Sequence, residues 1–320
     1  MRVAVIGLGS VGQVHVKVIQ ELQSDLVAVC DIDEDKHSVY KGIKCYTDYL
    51  NMLDEQNPDV VHICTPHYLH TEMIVESLRR NINVLCEKPL CIKEEDIPLI
   101  LTAEQNSKAQ LGVCFQNRYN PSTLFAKEYL KDKNIISAHA RLMWRRDKDY
   151  YAQGGWRGSK EKEGGGVLIN QALHTIDLLQ YFMGMPKTVI GWCGNLALQG
   201  VIDTEDTAML ICRGEKEFSL MASNTALQNN PVEIIIKTDV NVMRLFSNGV
   251  YINEDFYDCR SLDAVYGKQV YGSGHCPLIR DFYDCIKNGK KFPIDGKEAA
   301  KALRIVLTAY DSQGVEKLCK

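Results

Sequence analysis

Along the first third of the chain, short unbroken runs of apolar residues alternate with longer stretches in which apolar positions recur at helical spacing. An unbroken run suits a strand buried on both faces, and a three-to-four repeat suits an amphipathic helix. The pattern predicts strands at 2–6, 26–30, 60–64, 83–86 and 111–115, with helices between them, among them 71–80 and 94–105. Pro58 and Pro89 punctuate the boundaries. This alternation predicts an α/β fold with a doubly wound parallel sheet covered on both faces. In the second half, the runs at 190–193, 207–212, 217–222, 233–238 and 242–246 predict short strands. Turns such as Arg213-Gly214-Glu215 and Ser247-Asn248-Gly249 join them, and the pattern leaves their pairing order open.

The first strand runs into Gly7-Leu8-Gly9-Ser10-Val11-Gly12. This is GxGxxG after a strand and at the start of a helix. The first glycine permits the tight turn, the second lets backbone approach a pyrophosphate, and the third lets helix and strand pack closely. Amides at the helix start and the helix dipole hold the phosphate charge. Asp31 follows at the end of the second strand. A carboxylate there hydrogen-bonds ribose hydroxyls and repels a 2′-phosphate, so NAD is expected over NADP.

Length and composition narrow the classes further. The 320 residues suggest two domains. The formal net charge of -4 gives no reason to expect a nucleic acid or an anionic membrane as partner. No apolar run is long enough for a membrane helix, and the first strand begins at Arg2, leaving no room for a secretory leader. The 12 cysteines are scattered without CxxC or metal-ligand spacing. They read as reduced thiols of a cytoplasmic protein, and no metal site is expected.

Thr65-Pro66-His67, then His70, lie at the end of the third predicted strand, and Cys86-Glu87-Lys88-Pro89-Leu90 at the end of the fourth. With the glycine fingerprint, these resemble the glucose–fructose oxidoreductase, inositol dehydrogenase and rhizopine-catabolism (Gfo/Idh/MocA) family. The match continues through Gln116-Asn117-Arg118-Tyr119-Asn120-Pro121, Tyr150-Tyr151, Trp156-Arg157-Gly158 and Gly164-Gly165-Gly166. It extends over Asn170, His174 and Asp177 to Gly274-His275 and Asp281-Phe282-Tyr283. The resemblance implies a Rossmann domain, here 1–117, that binds the cofactor. It also implies an α/β domain, here 118–320, whose open, mostly antiparallel sheet serves substrate binding and homo-oligomerisation as a dimer or tetramer. The implied activity is hydride transfer between NAD and a hydroxyl-bearing carbon of a sugar, sugar acid or cyclic polyol. Two other readings share this architecture: a glycosidase that oxidises its substrate transiently with bound NAD, and a sensor without catalysis.

Oxidising an alcohol with NAD requires a group that takes the hydroxyl proton. Lys88, at a strand end, is the first candidate; an isolated lysine would read as a surface partner of Glu87, and the Glu-Lys-Pro setting favours catalysis. His174 is the second, with an ordinary pKa near 6.5 suited to a base at neutral pH. A helix starting near residue 167 would put Asn170, His174 and Asp177 on one face. Where inositol-type members carry aspartate this chain has Asn170, which can orient a hydroxyl but cannot take its proton. Asp177 reads as structural. Arg118, Tyr119, Trp156, Arg157 and His275 are substrate-side candidates, since arginine binds carboxylate or phosphate and aromatic faces suit sugar rings. The cofactor set comprises Gly7, Gly9, Ser10, Val11, Gly12, Asp31, Thr65, Pro66, His67, His70, Glu87 and Lys88.

Overall fold

The computed structural model describes residues 1–153, 155–260 and 272–319. The chain forms two compact units. The first alternates β1 (Arg2–Ile6), α1 (Ser10–Glu21), β2 (Asp25–Cys30), β3 (Lys44–Tyr46), α2 (Tyr49–Gln56), β4 (Val60–Ile63), α3 (His70–Arg79), β5 (Asn83–Glu87), α4 (Asp96–Asn106) and β6 (Leu111–Cys114). Its six strands pair in parallel in the order β3-β2-β1-β4-β5-β6. The buried runs of β4 and β6 are those of strands covered on both faces. Strand order reverses between β1 and β4, the place where such sheets open a crevice at their carboxyl edge. In register, Ile6 pairs with Ile63 and Ile63 with Cys86, while Glu87 pairs with Cys114. Gly7, Cys64 and Glu87 therefore follow one another along that edge.

The second unit contains α5 (Pro121–Leu130), β7 (Ile135–Met143), α6 (Lys148–Ala152), α7 (Lys160–Glu163) and α8 (Leu173–Met183). Then come β8 (Thr188–Gly194), β9 (Thr207–Arg213), β10 (Glu217–Ser223), β11 (Glu233–Thr238), β12 (Val242–Phe246), β13 (Gly249–Ile252) and β14 (Asp255–Asp258), with β15 (Lys317–Leu318) near the end of the chain. The sheet order is β14-β13-β12-β11-β7-β10-β9-β8-β15. Every pairing is antiparallel except β7 with β10. Ile135, Ala138, Ala140 and Leu142 of β7 are buried, and α8 covers that face. The sequence pattern missed β7, the strand at the middle of this sheet, because alanine, serine and histidine dilute its apolar alternation.

The first unit is not complete at residue 117. Two further helices follow the second sheet, α9 (His275–Lys287) and α10 (Gly296–Ser312), and the segment 272–299 belongs to the first unit. Helix α9 packs on α1 and β6. A Cβ on Gly112 would lie 2.9 Å from the Phe282 ring and 3.0 Å from Phe292, so the bare backbone of β6 lets both rings close over it. The Val113 amide donates to the Ile294 carbonyl at 2.9 Å.

Candidate active site

The glycine turn has the geometry its motif predicts. Gly7 sits at φ +89°, and a Cβ there would lie 2.6 Å from the Cys64 carbonyl oxygen. A Cβ on Gly12 would meet the Gly7 oxygen at 1.9 Å, so only glycine lets α1 start this close to the sheet. No side chain caps α1 and no acid lies in its first turn. Gly9 and Ser10 are exposed and Val11 is half-buried. The first-turn amides thus present partial positive charge to an anion, and these residues fit a dinucleotide pyrophosphate.

Asp31 closes this turn. Its Oδ2 accepts from the Leu8 amide at 2.7 Å and its Oδ1 from the Asp33 amide at 3.0 Å. Burial raises its pKa, but the two amides and Lys36 outweigh that and hold it below its ordinary value. Lys36 Nζ lies 3.1 Å from both carboxylate oxygens. The carboxylate expected to repel a 2′-phosphate therefore has a cation against it, a neighbour that sequence spacing did not suggest.

Farther along the carboxyl edge, Thr65, Pro66 and Lys88 are half-buried. His70, expected to touch the cofactor, is instead buried, with Nδ1 2.7 Å from the Pro89 carbonyl and Nε2 3.0 Å from the Thr65 carbonyl. Burial keeps the ring neutral, so its single N–H donates to one of these two carbonyls, between the loop after β4 and the loop after β5. His67 is buried beside it, with ring centroids 5.9 Å apart.

Beneath Lys88 lies a cluster that no sequence motif announced. Glu87 is 8% exposed, and its Oε1 lies 3.0 Å from His15 Nε2 and 3.7 Å from His275 Nε2. His15 Nδ1 lies 2.7 Å from His62 Nδ1, and His62 Nε2 lies 2.8 Å from the Tyr283 hydroxyl. Burial pushes the Glu87 carboxyl up, yet the hydrogen bonds from His15 and His275 prevail and hold it well below the usual carboxylate range. Burial, with His15 nearby, holds His62 well below its ordinary value, and burial also lowers His275. His275, expected at the substrate, thus serves Glu87; it is 3% exposed.

The contacts run Glu87–His15–His62–Tyr283, and His62, kept neutral by burial, donates from one ring nitrogen and accepts at the other. Donor atoms of His15, Glu87, Cys114 and His275 lie within 4.8 Å of one another, the spacing of a small-cation ligand set. Burial and the Glu87 charge push the Cys114 thiol well above its ordinary value, so it remains a thiol and donates to Glu87.

In the second unit, helix α8 begins at Leu173, later than expected. The Ala172 amide bonds to the Val167 carbonyl, and the amides of Gly166 and Leu168 are taken by the buried Glu205 carboxylate at 2.8 and 3.0 Å. Asn170 thus lies in the turn before the helix, and its Nδ2 donates to Glu163 Oε1. Glu163 is 1% exposed and also accepts from the Gly158 amide at 2.5 Å. With Nδ2 directed at a carboxylate, the Asn170 amide has a fixed orientation. His174 is half-buried on the first turn of α8.

Arg118 has a different role from the one its sequence context suggested. Its Nε and Nη2 donate to the two Asp177 oxygens at 2.8 and 2.6 Å, and both residues are buried. Its guanidinium also stacks on Tyr181 at 4.6 Å. The fork expected for a substrate anion is engaged inside the protein by Asp177. Tyr119 is half-buried, as are Trp156 and Arg157. Tyr151 is buried against Leu198 and Ile202. Asn224 Nδ2 donates to the Tyr151 hydroxyl at 3.1 Å and to Gln171 Oε1 at 2.9 Å, and Gln171 Nε2 donates to the Tyr150 hydroxyl at 3.3 Å.

Comparison with known proteins agrees with the two-sheet fold. Residues 1–115 match the model of the GFO/IDH/MocA oxidoreductase family, NAD-binding Rossmann fold, and residues 134–238 match the GFO/IDH/MocA C-terminal domain. Myo-inositol 2-dehydrogenase of Thermotoga maritima is 22% identical over 98% of this chain and 96% of its own length. The WlbA dehydrogenase of Bordetella pertussis, solved with NADH and UDP-GlcNAcA, superposes with a TM-score of 0.87 at 23% identity over 100% of this chain and 98% of its own. Levoglucosan dehydrogenase, solved with NADH and levoglucosan, gives a TM-score of 0.85 at 20% identity over 100% and 99% of the two chains. At these identities the two solved structures bear on the fold alone.

Proposed function

The chain belongs to the GFO/IDH/MocA oxidoreductase family, and from that premise we propose that it transfers a hydride between NAD and a hydroxyl-bearing carbon of a sugar, sugar acid or cyclic polyol. One observation carries the reading: the carboxyl edge of the first sheet aligns the Gly7 turn, Cys64 and the Glu87-Lys88 pair at the strand-order reversal. NAD, when bound, takes or returns the hydride. Gly9, Ser10 and Val11 hold its phosphates through backbone amides, and Asp31 faces the ribose end. Lys88 donates to the substrate oxygen and stabilises charge developing there. His174 takes or returns the hydroxyl proton. Asn170 orients a hydroxyl and does not ionise. The relative named myo-inositol 2-dehydrogenase, matched over 98% of this chain, supports the hydroxyl-rich substrate class.

The test is an absorbance screen for NADH formation across sugars, sugar acids and inositols, after a thermal-shift titration with NAD and NADP. Turnover that Lys88→Met and His174→Ala each abolish supports the assignment. Release of free sugar from a glycoside without net NADH would move it to the glycosidase reading. NAD binding with neither would move it to the sensor.

We also assign the exposed face of the second sheet to self-association. Trp192 pairs with Met209 and Met209 with Met221, all three about half-exposed and side by side on β8, β9 and β10. An apolar patch of this kind marks an interface. Sedimentation of Met209→Glu, expected to shift the protein to monomer, tests it. The cysteines are all free thiols, which suits a reducing compartment such as the cytoplasm. Among the described residues, no helix is long and apolar enough to cross a membrane.

A further inference from the structure

Five side chains of the second unit alternate ring and guanidinium: Trp144, Arg146, Tyr150, Arg157 and Trp156. The Arg146 carbon Cζ lies 4.8 Å from the Trp144 ring centroid and 5.0 Å from that of Tyr150. The Arg157 Cζ lies 5.3 Å from Tyr150 and 4.9 Å from Trp156. A guanidinium between two rings loses little further freedom on binding.

The ladder has a fixed base. The Trp144 and Arg146 amides donate to the Ser223 and Asn224 carbonyls, each at 2.8 Å, extending the pairing of β7 with β10. Arg146 Nη1 donates to Asn229 Oδ1 at 3.0 Å and to the Arg145 carbonyl at 2.7 Å. Its Nε is buried without a hydrogen-bond partner. Arg157 Nη1 donates to the Gln153 carbonyl at 3.0 Å. Nearby Asp147 lies with Arg145 at 3.6 Å. Among the described residues, no carboxylate pairs with Arg146 or Arg157, and this in a chain whose net charge is -4. The middle rung, Tyr150, accepts from Gln171, the residue next to Asn170 in the turn that leads to His174.

We propose that this ladder recognises an anionic oxygen group, carboxylate or phosphate, on the hydroxyl-bearing substrate, and that Arg146 and Arg157 set a preference for acidic over neutral sugars. Guanidinium forks match both anions bidentately, and the one buried donor without an acceptor, Arg146 Nε, favours a ligand that supplies one. The polyol part of this inference rests on the hydride-transfer reading. The charge part rests on the arginines alone.

The experiment is calorimetric binding of D-glucuronate, glucose 6-phosphate and D-glucose to the NAD-loaded protein, comparing wild type with Arg146→Gln, Arg157→Gln and the double variant. We expect one acidic probe to bind at least about tenfold more tightly than glucose, as charge-assisted hydrogen bonds allow. That preference should weaken with salt and collapse to about unity in the double variant, with Arg146→Lys keeping part of it. Whichever acid is preferred identifies the group as carboxylate or phosphate. Equal or weaker binding of both acids, no binding of any probe, or a preference indifferent to the arginines would overturn the proposal. NADH formation is followed in parallel. Arginine-dependent acid binding without turnover would retain the ladder and reject the dehydrogenase. Turnover of neutral sugars indifferent to both arginines would do the reverse.

Discussion

His15 Nε2 lies 3.0 Å from Glu87 Oε1, and this contact is the last link of a hydrogen-bond chain running from α9 through β4 and α1 to β5. The glutamate beside the candidate catalytic lysine is held well below the usual carboxylate range by hydrogen bonds from His15 and His275. His62, kept neutral by burial, should show one protonated and one bare ring nitrogen at neutral pH, and nitrogen-resolved NMR of the histidine rings would check it.

The same cluster predicts how stability depends on pH. His62, His70 and His275 have folded pKa values below their unfolded ones. Below about pH 6.5 the unfolded chain binds protons that the folded chain refuses, at up to about 1.4 kcal/mol per pH unit for each histidine. Glu87, lowered in the fold, contributes stability that is present above its unfolded value near 4.3 and is lost as pH falls through its folded value. The melting temperature should be level above about pH 7 and fall steadily below about 6.5. A profile still level at about pH 5 would contradict neutral buried histidines.

The Cys114 thiol, kept protonated by burial and the Glu87 charge, also predicts the response to metal removal. Dialysis against a chelator should leave the melting temperature unchanged, and elemental analysis should find no stoichiometric transition metal. A bound zinc ion would mean that His15, Cys114 and His275 act as ligands.

Asn170 and Glu163 predict a penalty for restoring the aspartate of the inositol-type relatives. Asn170→Asp would set a second carboxylate against a buried one, where like charges cannot both ionise. We expect a loss of about 1–3 kcal/mol, measured by denaturant unfolding, and recovery when Glu163→Gln is added. Additive losses in the double variant would show that the two residues do not interact.

Arg118 and Asp177 make a buried two-pronged ion pair, so breaking it should act on folding. Arg118→Ala should cost about 3–5 kcal/mol, because it strands the Asp177 charge. A stable Arg118→Ala protein with only a raised KM would restore the substrate-binding role that its sequence context suggested.

Asp31 and Lys36 bear on the choice of dinucleotide. Asp31→Ser should weaken NAD binding about tenfold and strengthen NADP, since Lys36 then keeps only the looser contact with Asp33 at 3.6 Å. Titration of both dinucleotides against the variant measures this. Unchanged NAD affinity would remove Asp31 from the ribose site.

The sequence pattern revealed the first sheet well because its strands are buried on both faces, and unbroken apolar runs such as Val60–Ile63 suit few environments besides a covered strand. It missed Lys44–Tyr46, a three-residue edge strand with no buried residue, and it missed β7. The glycine turn was legible because steric need fixes residue type at Gly7 and Gly12. The supporting side chains were not. His15 and His62 sit singly inside apolar runs, and their partner Tyr283 lies 221 residues from His62. Arg118 and His275 were placed at the substrate because arginine and histidine suit ligands; nothing local announces Asp177 or Glu87 as their partners. For the arginine ladder, the Tyr150 and Trp156 loop carried a signal, but its outer pair, Trp144 and Arg146, comes from the end of a strand the pattern did not reveal.

Helix α9 supplies both His275 and Tyr283 to the surroundings of a carboxylate on β5. During synthesis, therefore, the nucleotide domain leaves the ribosome with Glu87 and His62 still lacking their last partners. They receive them only after His275 and Tyr283 have emerged, the latter 221 residues beyond His62, so the first domain begun is among the last to be finished.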